Sequence, residues 1–223
     1  MNNKLKDIVL FGLNDYAELA YFYISKDTTY NVVAFCVDRA FMPEKTTHQN
    51  LPIICFEDVE SLFPPEKALF FCPMSPSLMN KKRETIYEKA KKIGYEFFTY
   101  VNSSVTNYAS KIGENCFILE DNTLQPFVEI GSNVILWSGN HIGHHSKISD
   151  HVTITSHVVV SGHCLIKNNC FLGVNSTVSN NITLSQGTLI ALGTVVEKNT
   201  EEWSIYKGNP AEKMRIPSMK ARI

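Results

Sequence analysis

The chain has no excess charge of either sign. Lys and Arg (21) nearly balance Asp and Glu (22), a formal net charge of −1 over 223 residues, which excludes an overall field able to recruit nucleic acid or an anionic membrane. It also lacks a long hydrophobic run near its start. Met1-Asn2-Asn3-Lys4-Leu5-Lys6-Asp7 leads into only about six apolar residues before Asn14, too few for a signal-peptide core or a membrane span, so the expected location is the cytoplasm. Its six cysteines (Cys36, Cys55, Cys72, Cys116, Cys164 and Cys170) show no CxxC pairing. They lie in apolar runs and read as reduced, buried thiols, not zinc or redox ligands. What is present is ordinary for a protein with a real core: 44% hydrophobic residues and 19% charged, in a length that holds one large domain or two small ones.

The chain changes character near residue 100. Before it, short β-branched or aromatic runs alternate with helical stretches, the pattern of a small α/β unit with a parallel sheet. Strands are expected at Ile8–Phe11, Asn31–Val37, Ile53–Phe56, Ala68–Cys72 and Glu96–Tyr100, with helices over Asp15–Ser25 and Met79–Ile93, the latter closed by Gly94. A glycine-rich phosphate loop is missing: after the first strand stands Gly12 alone, followed by Leu13-Asn14-Asp15. Gly12 still marks a turn able to hold a phosphate or ribose, and Asp38, closing the second strand, sits where such folds bind a ribose hydroxyl or a base. A solvated strand-end carboxylate accounts for Asp38 equally well.

From Ile112 to Val196 every sixth residue is aliphatic, fifteen in succession. A second small or apolar residue precedes most of them by two positions, as at Cys116, Val128, Val134, Ser146, Val152, Val158, Cys164, Cys170, Ser176 and Thr188. A hexapeptide period of this kind gives one short strand and a turn per repeat, three repeats per eighteen-residue coil, and coils stacked at about 4.8 Å into a triangular prism. The expected fold is therefore an α/β domain with a small Rossmann-like parallel sheet followed by a left-handed parallel β-helix. A sandwich or propeller would need longer strands and another period.

Residues eighteen apart stack, so His144 lies under Gly162 and His145 under His163. Six of the seven histidines fall between His141 and His163, which marks a candidate site; surface imidazoles on a β-rich face are the plain alternative, and they suit His151 and His157 taken singly. A neutral imidazole near pH 7 can take a proton from an acyl acceptor, which makes His144 the candidate general base. A backbone N–H beside a residue without Cβ can approach a thioester oxygen closely, which makes Gly162 the candidate oxyanion donor. Metal ligation by histidines two coils apart fails on composition, since Thr177, Asn180 and Asn181 occupy the required places. Cys164 and Cys170 hold the small inward position and read as core. The run Val158-Val159-Val160 suggests an exposed face to be buried against a neighbour.

The hexapeptide array, the Gly143-His144-His145 turn, the run from Asn169 through Gly173 to Ser176 and the closing Gly208-Asn209-Pro210-Ala211 resemble bacterial sugar acetyltransferases of the PglD and NeuD type. The resemblance covers most of the chain. It implies three parts: residues 1–103, an α/β domain binding a nucleotide-sugar through Gly12 and Asp38; 104–201, the β-helix; and 202–223, an extension toward the coenzyme A groove. It further implies a homotrimer with acetyl-coenzyme A between subunits, no metal, and direct attack by a sugar amine in surface (lipopolysaccharide) polysaccharide biosynthesis. Catalysis would fall to His144, His145 and Gly162, and the cofactor to Gly162, Val174, Ala191, Gly193, Gly208 and Pro210. Transfer to a sugar hydroxyl, as in the sialic acid branch, and a non-enzymatic β-helix platform are the alternatives. Two features depart from that family: His145 stands where an acidic residue usually follows the catalytic histidine, and the first domain lacks the glycine-rich loop.

Overall fold

The computed structural model describes residues 6–222. The chain divides into two compact units. One runs up to Ser75 and resumes over Thr85–Thr99; the other comprises Pro76–Glu84 and everything from Tyr100 on.

The first unit is an α/β sheet. Its strands are β1 (Asp7–Phe11), β2 (Val32–Val37), β3 (Thr47–His48), β4 (Leu51–Cys55) and β5 (Ala68–Phe71), with helix α1 (Asp15–Asp27) between the first two. The order is β3-β4-β2-β1-β5, parallel except for the β3–β4 pair. Near-continuous apolar runs suit strands buried on both faces, and β1 and β2 are buried along almost their whole length. Helix α1 turns Ala17, Ala20 and Ile24 inward at helical spacing. The four parallel strands form half of a doubly wound sheet, reversing direction of travel at β1. The expected strand at Glu96–Tyr100 is absent: Phe97 makes a single bridge to Phe70, and Tyr100–Val101 pairs in the other unit.

In the second unit the eighteen-residue repeat becomes three parallel ladders of a left-handed β-helix. Face I runs from Thr106–Asn107 to Val195–Val196, face II from Lys111–Ile112 to Thr183–Leu184, and face III from Tyr100–Val101 to Leu189–Ile190. Face III ends in a further strand, Ser204–Lys207, and an antiparallel return, Glu212–Pro217. Fourteen of the fifteen periodic aliphatics are buried to 1% exposure or less, and Ile112 at the open end packs on them. The inward cysteines are core: burial pushes the Cys116 and Cys170 thiols up to about 12, which leaves them protonated and inert. Of Val158–Val160 only Val159 is exposed, because Val158 and Val160 both point inward.

The turns follow their own rule. Three residues after each inward aliphatic but the last, at all fourteen positions from Asn115 to Gly193, the backbone has positive φ. The occupants are five Asn, four His, three Gly, Asp121 and Phe127. Asn, Asp and His are the non-glycine residues that enter this region most readily, so four of the six clustered histidines (His145, His151, His157 and His163) meet a conformational demand.

Segment Pro76–Glu84 belongs to this unit through buried polar contacts. Leu78, Met79 and Asn80 all have positive φ, and helix α2 begins only after them, at Lys81–Ile93. The twist seats Asn80 and Arg83, both fully buried. Asn80 Nδ2 donates to the Asn169 and Cys170 carbonyls, and Thr153 Oγ1 donates to Asn80 Oδ1. Arg83 donates to Asn133 Oδ1 and to the carbonyls of Asn133 and Val152.

Candidate active site

The edge between faces I and II carries Phe127, His145, His163 and Asn181 at its turn positions, with Pro126, His144, Gly162 and Asn180 one residue before each. His144 is held by its backbone. Its N–H donates to Gln125 Oε1 at 2.9 Å, and its carbonyl accepts from His163 N–H at 3.0 Å. Its imidazole lies over Gly162, where a Cβ would come within 2.8 Å of His144 Cε1 and 2.9 Å of Nε2. Gly162 is therefore glycine because the ring occupies the space a side chain would need.

His144 Nδ1 is 3.1 Å from His145 Nδ1. One of the two nitrogens must carry the proton; when it is His144, Nε2 of this exposed ring is left with its lone pair. His145 is thereby the nearest orienting group for His144, in the place of a carboxylate. Its own ring lies between Phe127 (centroids 4.6 Å, tilted by 36°) and His163 (4.8 Å, stacked at 14° between planes).

Gly162 N–H does not point into open space. It donates to Asn180 Oδ1 at 3.0 Å, so the expected oxyanion donor is engaged within the fold. His144, His145 and His163 also bring three imidazole nitrogens within 4.8 Å of one another, a grouping the spacing rule for coils two apart does not detect. His141, on the face I strand, and His151 and His157, on the other two edges, stand apart from this group.

The expected cofactor residues gather elsewhere. Gly193 N–H donates to the Val174 carbonyl (2.8 Å), Ala191 N–H to the Tyr206 carbonyl (2.9 Å), and Val195 N–H to the Gly208 carbonyl (3.0 Å). Val174, Ala191, Gly193 and Gly208 thus cluster on the last coils at the edge between faces III and I, and Pro210 lines an adjoining hollow of about 440 Å³ with Val196, Tyr206 and Ala211. Within one chain that cluster and His144 flank opposite sides of face I. The outward strand residues of this face (Thr106, Thr123, His141, Val159, Thr177 and Val195) are without Lys, Arg, Asp or Glu.

In the first unit, Gly12 and Asp38 follow adjacent strands at the same end of the sheet. Gly12 has φ +113°, and its N–H donates to the Cys36 carbonyl. The helix behind it opens with Asp15 and Glu18, whose charge opposes a phosphate at the N-terminus. Asp38 lies 3.7 Å from Lys89 Nζ, a partly exposed ion pair. No helix among the described residues is long and apolar enough to cross a membrane.

Residues 109–144 match the family described as bacterial transferase hexapeptide (six repeats). No curated protein matches the sequence. Among solved structures, the chain is similar to the acetyltransferase domain of PglB from Neisseria gonorrhoeae, with TM-score 0.83 and 18% identity over 94% of this chain and 100% of that one. It is similar to PerB from Caulobacter crescentus in complex with CoA and GDP-perosamine (TM-score 0.82, 16% identity, 95% and 98% covered). WeeI from Acinetobacter baumannii gives TM-score 0.79 and 17% identity over 94% and 100%. These likenesses establish a fold shared along nearly the whole chain.

Proposed function

We propose that this protein transfers an acetyl group from acetyl-coenzyme A to the amine of a nucleotide-linked amino sugar, as a homotrimer acting in the cytoplasm on precursors of surface polysaccharide. The observation that carries the reading is the exposed His144 imidazole, pinned through its backbone, bonded at Nδ1 and laid over Gly162. The fold shared with PerB, whose structure holds CoA and GDP-perosamine, supports the choice of cofactor and acceptor.

In the proposed step the amine nitrogen attacks the thioester carbonyl as His144 Nε2 takes its proton. The C–N bond forms, the C–S bond breaks, and coenzyme A leaves as a thiolate that is then protonated. Gly162 N–H exchanges Asn180 Oδ1 for the developing oxyanion. His145 Nδ1 accepts from His144 Nδ1 and fixes the tautomer. The separation of His144 from the Val174–Gly208 cluster by the width of face I supports a site between subunits, with the base edge of one chain facing the cofactor edge of the next. Gly12 and Asp38 bind the nucleotide part of the acceptor, with its pyrophosphate kept clear of Asp15 and Glu18.

The test is thiol release from acetyl-coenzyme A against a panel of nucleotide-linked amino sugars and their hydroxyl counterparts. Release dependent on an amino sugar, with acetylated amine as product, is expected. Release with hydroxyl sugars alone would replace the acceptor by a hydroxyl, and absence of coenzyme A binding would leave a non-enzymatic platform.

A further inference from the structure

Phe127 departs from every other residue at the fourteen positive-φ turns. The rest are Asn, Asp, His or Gly, whereas Phe127 places a bulky ring on a backbone of φ 68° and leaves it 62% exposed. Both features are unfavourable, and strain of this kind persists where the ring is used. The ring is not loose. It packs on the His145 ring, centroids 4.6 Å apart and tilted by 36°, and His145 stacks in turn on His163 at 4.8 Å. The two residues before it hold the catalytic turn, Gln125 Oε1 accepting from His144 N–H and the Pro126 carbonyl from His145 N–H. On the coil below, Ala109 stands at the matching place, since Ser110 N–H pairs with the Val128 carbonyl, and the Phe127 ring remains 62% exposed.

We propose that Phe127, backed by His145 and His163, is the platform on which the apolar face of the acceptor's sugar ring lies while its amine is directed to His144. The inference rests on the acetyl-transfer reading. Ring spacing decides which part of the acceptor is meant: His144 and His145 centroids are 5.2 Å apart and Phe127 is one further stacking distance away. An amine at His144 Nε2 puts its own pyranose over these rings, with the nucleobase well beyond them. Stacking on an aromatic face needs no hydrogen-bond pattern, so the platform favours sugars with a continuous apolar face, deoxy sugars above all.

The test is Phe127→Asn, compared with wild type in steady-state kinetics using the amino sugar that releases thiol. Asparagine suits positive φ, so folding stability is expected to hold or rise, while KM for the acceptor rises roughly tenfold to a hundredfold and KM for acetyl-coenzyme A stays put. Phe127→Trp is expected to restore acceptor KM. An unchanged acceptor KM in Phe127→Asn, beside a turning-over wild type, overturns the platform alone. So does a change in sedimentation, which would make the ring a subunit contact. A wild type that releases no thiol with any acceptor removes the acetyl-transfer reading and the platform with it.

Discussion

Gly162 shows how little space separates a working histidine from a displaced one. A methyl group there would stand 2.8 Å from His144 Cε1, so Gly162→Ala must swing the imidazole away by a substantial fraction of an ångström or more. Turnover is expected to fall on the order of 10²-fold, with the melting temperature nearly unchanged because Gly162 has no positive φ and the group that must give way is the exposed His144 ring; steady-state kinetics beside thermal melting checks both. His151, a histidine of the same sequence cluster, behaves oppositely. Asn133 Oδ1 accepts from Arg83 and from Asn115, so Asn133 Nδ2 is the donor and His151 Nδ1 the acceptor, a role a protonated ring could not fill. Burial, set against the nearby Glu84 and Asp150 carboxylates, holds the His151 pKa below its usual 6.5. The unfolded chain therefore binds a proton first as pH falls, so the stability His151 supports is complete above about 6.5 and is lost progressively below it. His151→Asn, which keeps the turn conformation, is expected to flatten that part of the stability profile in urea melts between neutral and mildly acid pH. A profile as steep as wild type would contradict it.

At the scale of elements, the turns and the Pro76–Glu84 segment account for what the repeat does not. The six-residue period was legible because an inward position in a narrow prism accepts little but Ile, Leu or Val, and one misplaced polar residue would leave a buried group without a partner. The turn rule was equally present, in Asn, Asp, Gly or His three residues after every aliphatic but Leu124, yet it becomes visible only with the backbone angles, and four of the six clustered histidines sit at these turns. The first coil escaped the period because it is one residue shorter, pairing Tyr100 with Phe117, and because Asn107 stands where an aliphatic is expected. The place of Asn80 and Arg83 in the β-helix depends on buried polar complementarity, which leaves no periodic trace. Arg83→Ala would strand the buried Asn133 carbonyl and open a cavity, so a loss of roughly 3–5 kcal/mol in unfolding free energy is expected from denaturant titration. A loss under 1 kcal/mol would show that water replaces the guanidinium at about no cost.

For the whole molecule, the sequence conveys the two architectures and the stacking of His144 on Gly162, since both follow from the repeat. It does not convey that His144 and the Val174–Gly208 cluster flank opposite sides of an uncharged face, that Gly162 N–H is already bonded to Asn180, or that His145 supplies a nitrogen where a carboxylate was expected. Each depends on which edge of the prism a residue occupies and which atom of it turns inward, quantities that a one-dimensional period carries only in part. The acceptor is the least legible element, because Gly12 and Asp38 are two points of contact and Asp15 and Glu18 argue against the usual seat for a pyrophosphate.

The central claim is that His144 takes the proton from the acceptor. The measurement that tests it most directly is kcat for thiol release by His144→Ala, with circular dichroism and coenzyme A binding recorded on the same protein. A fall of about 10²–10⁴-fold, with fold and coenzyme A affinity intact, is the predicted result. A fall of less than tenfold under the same conditions would contradict it and move the base to another residue.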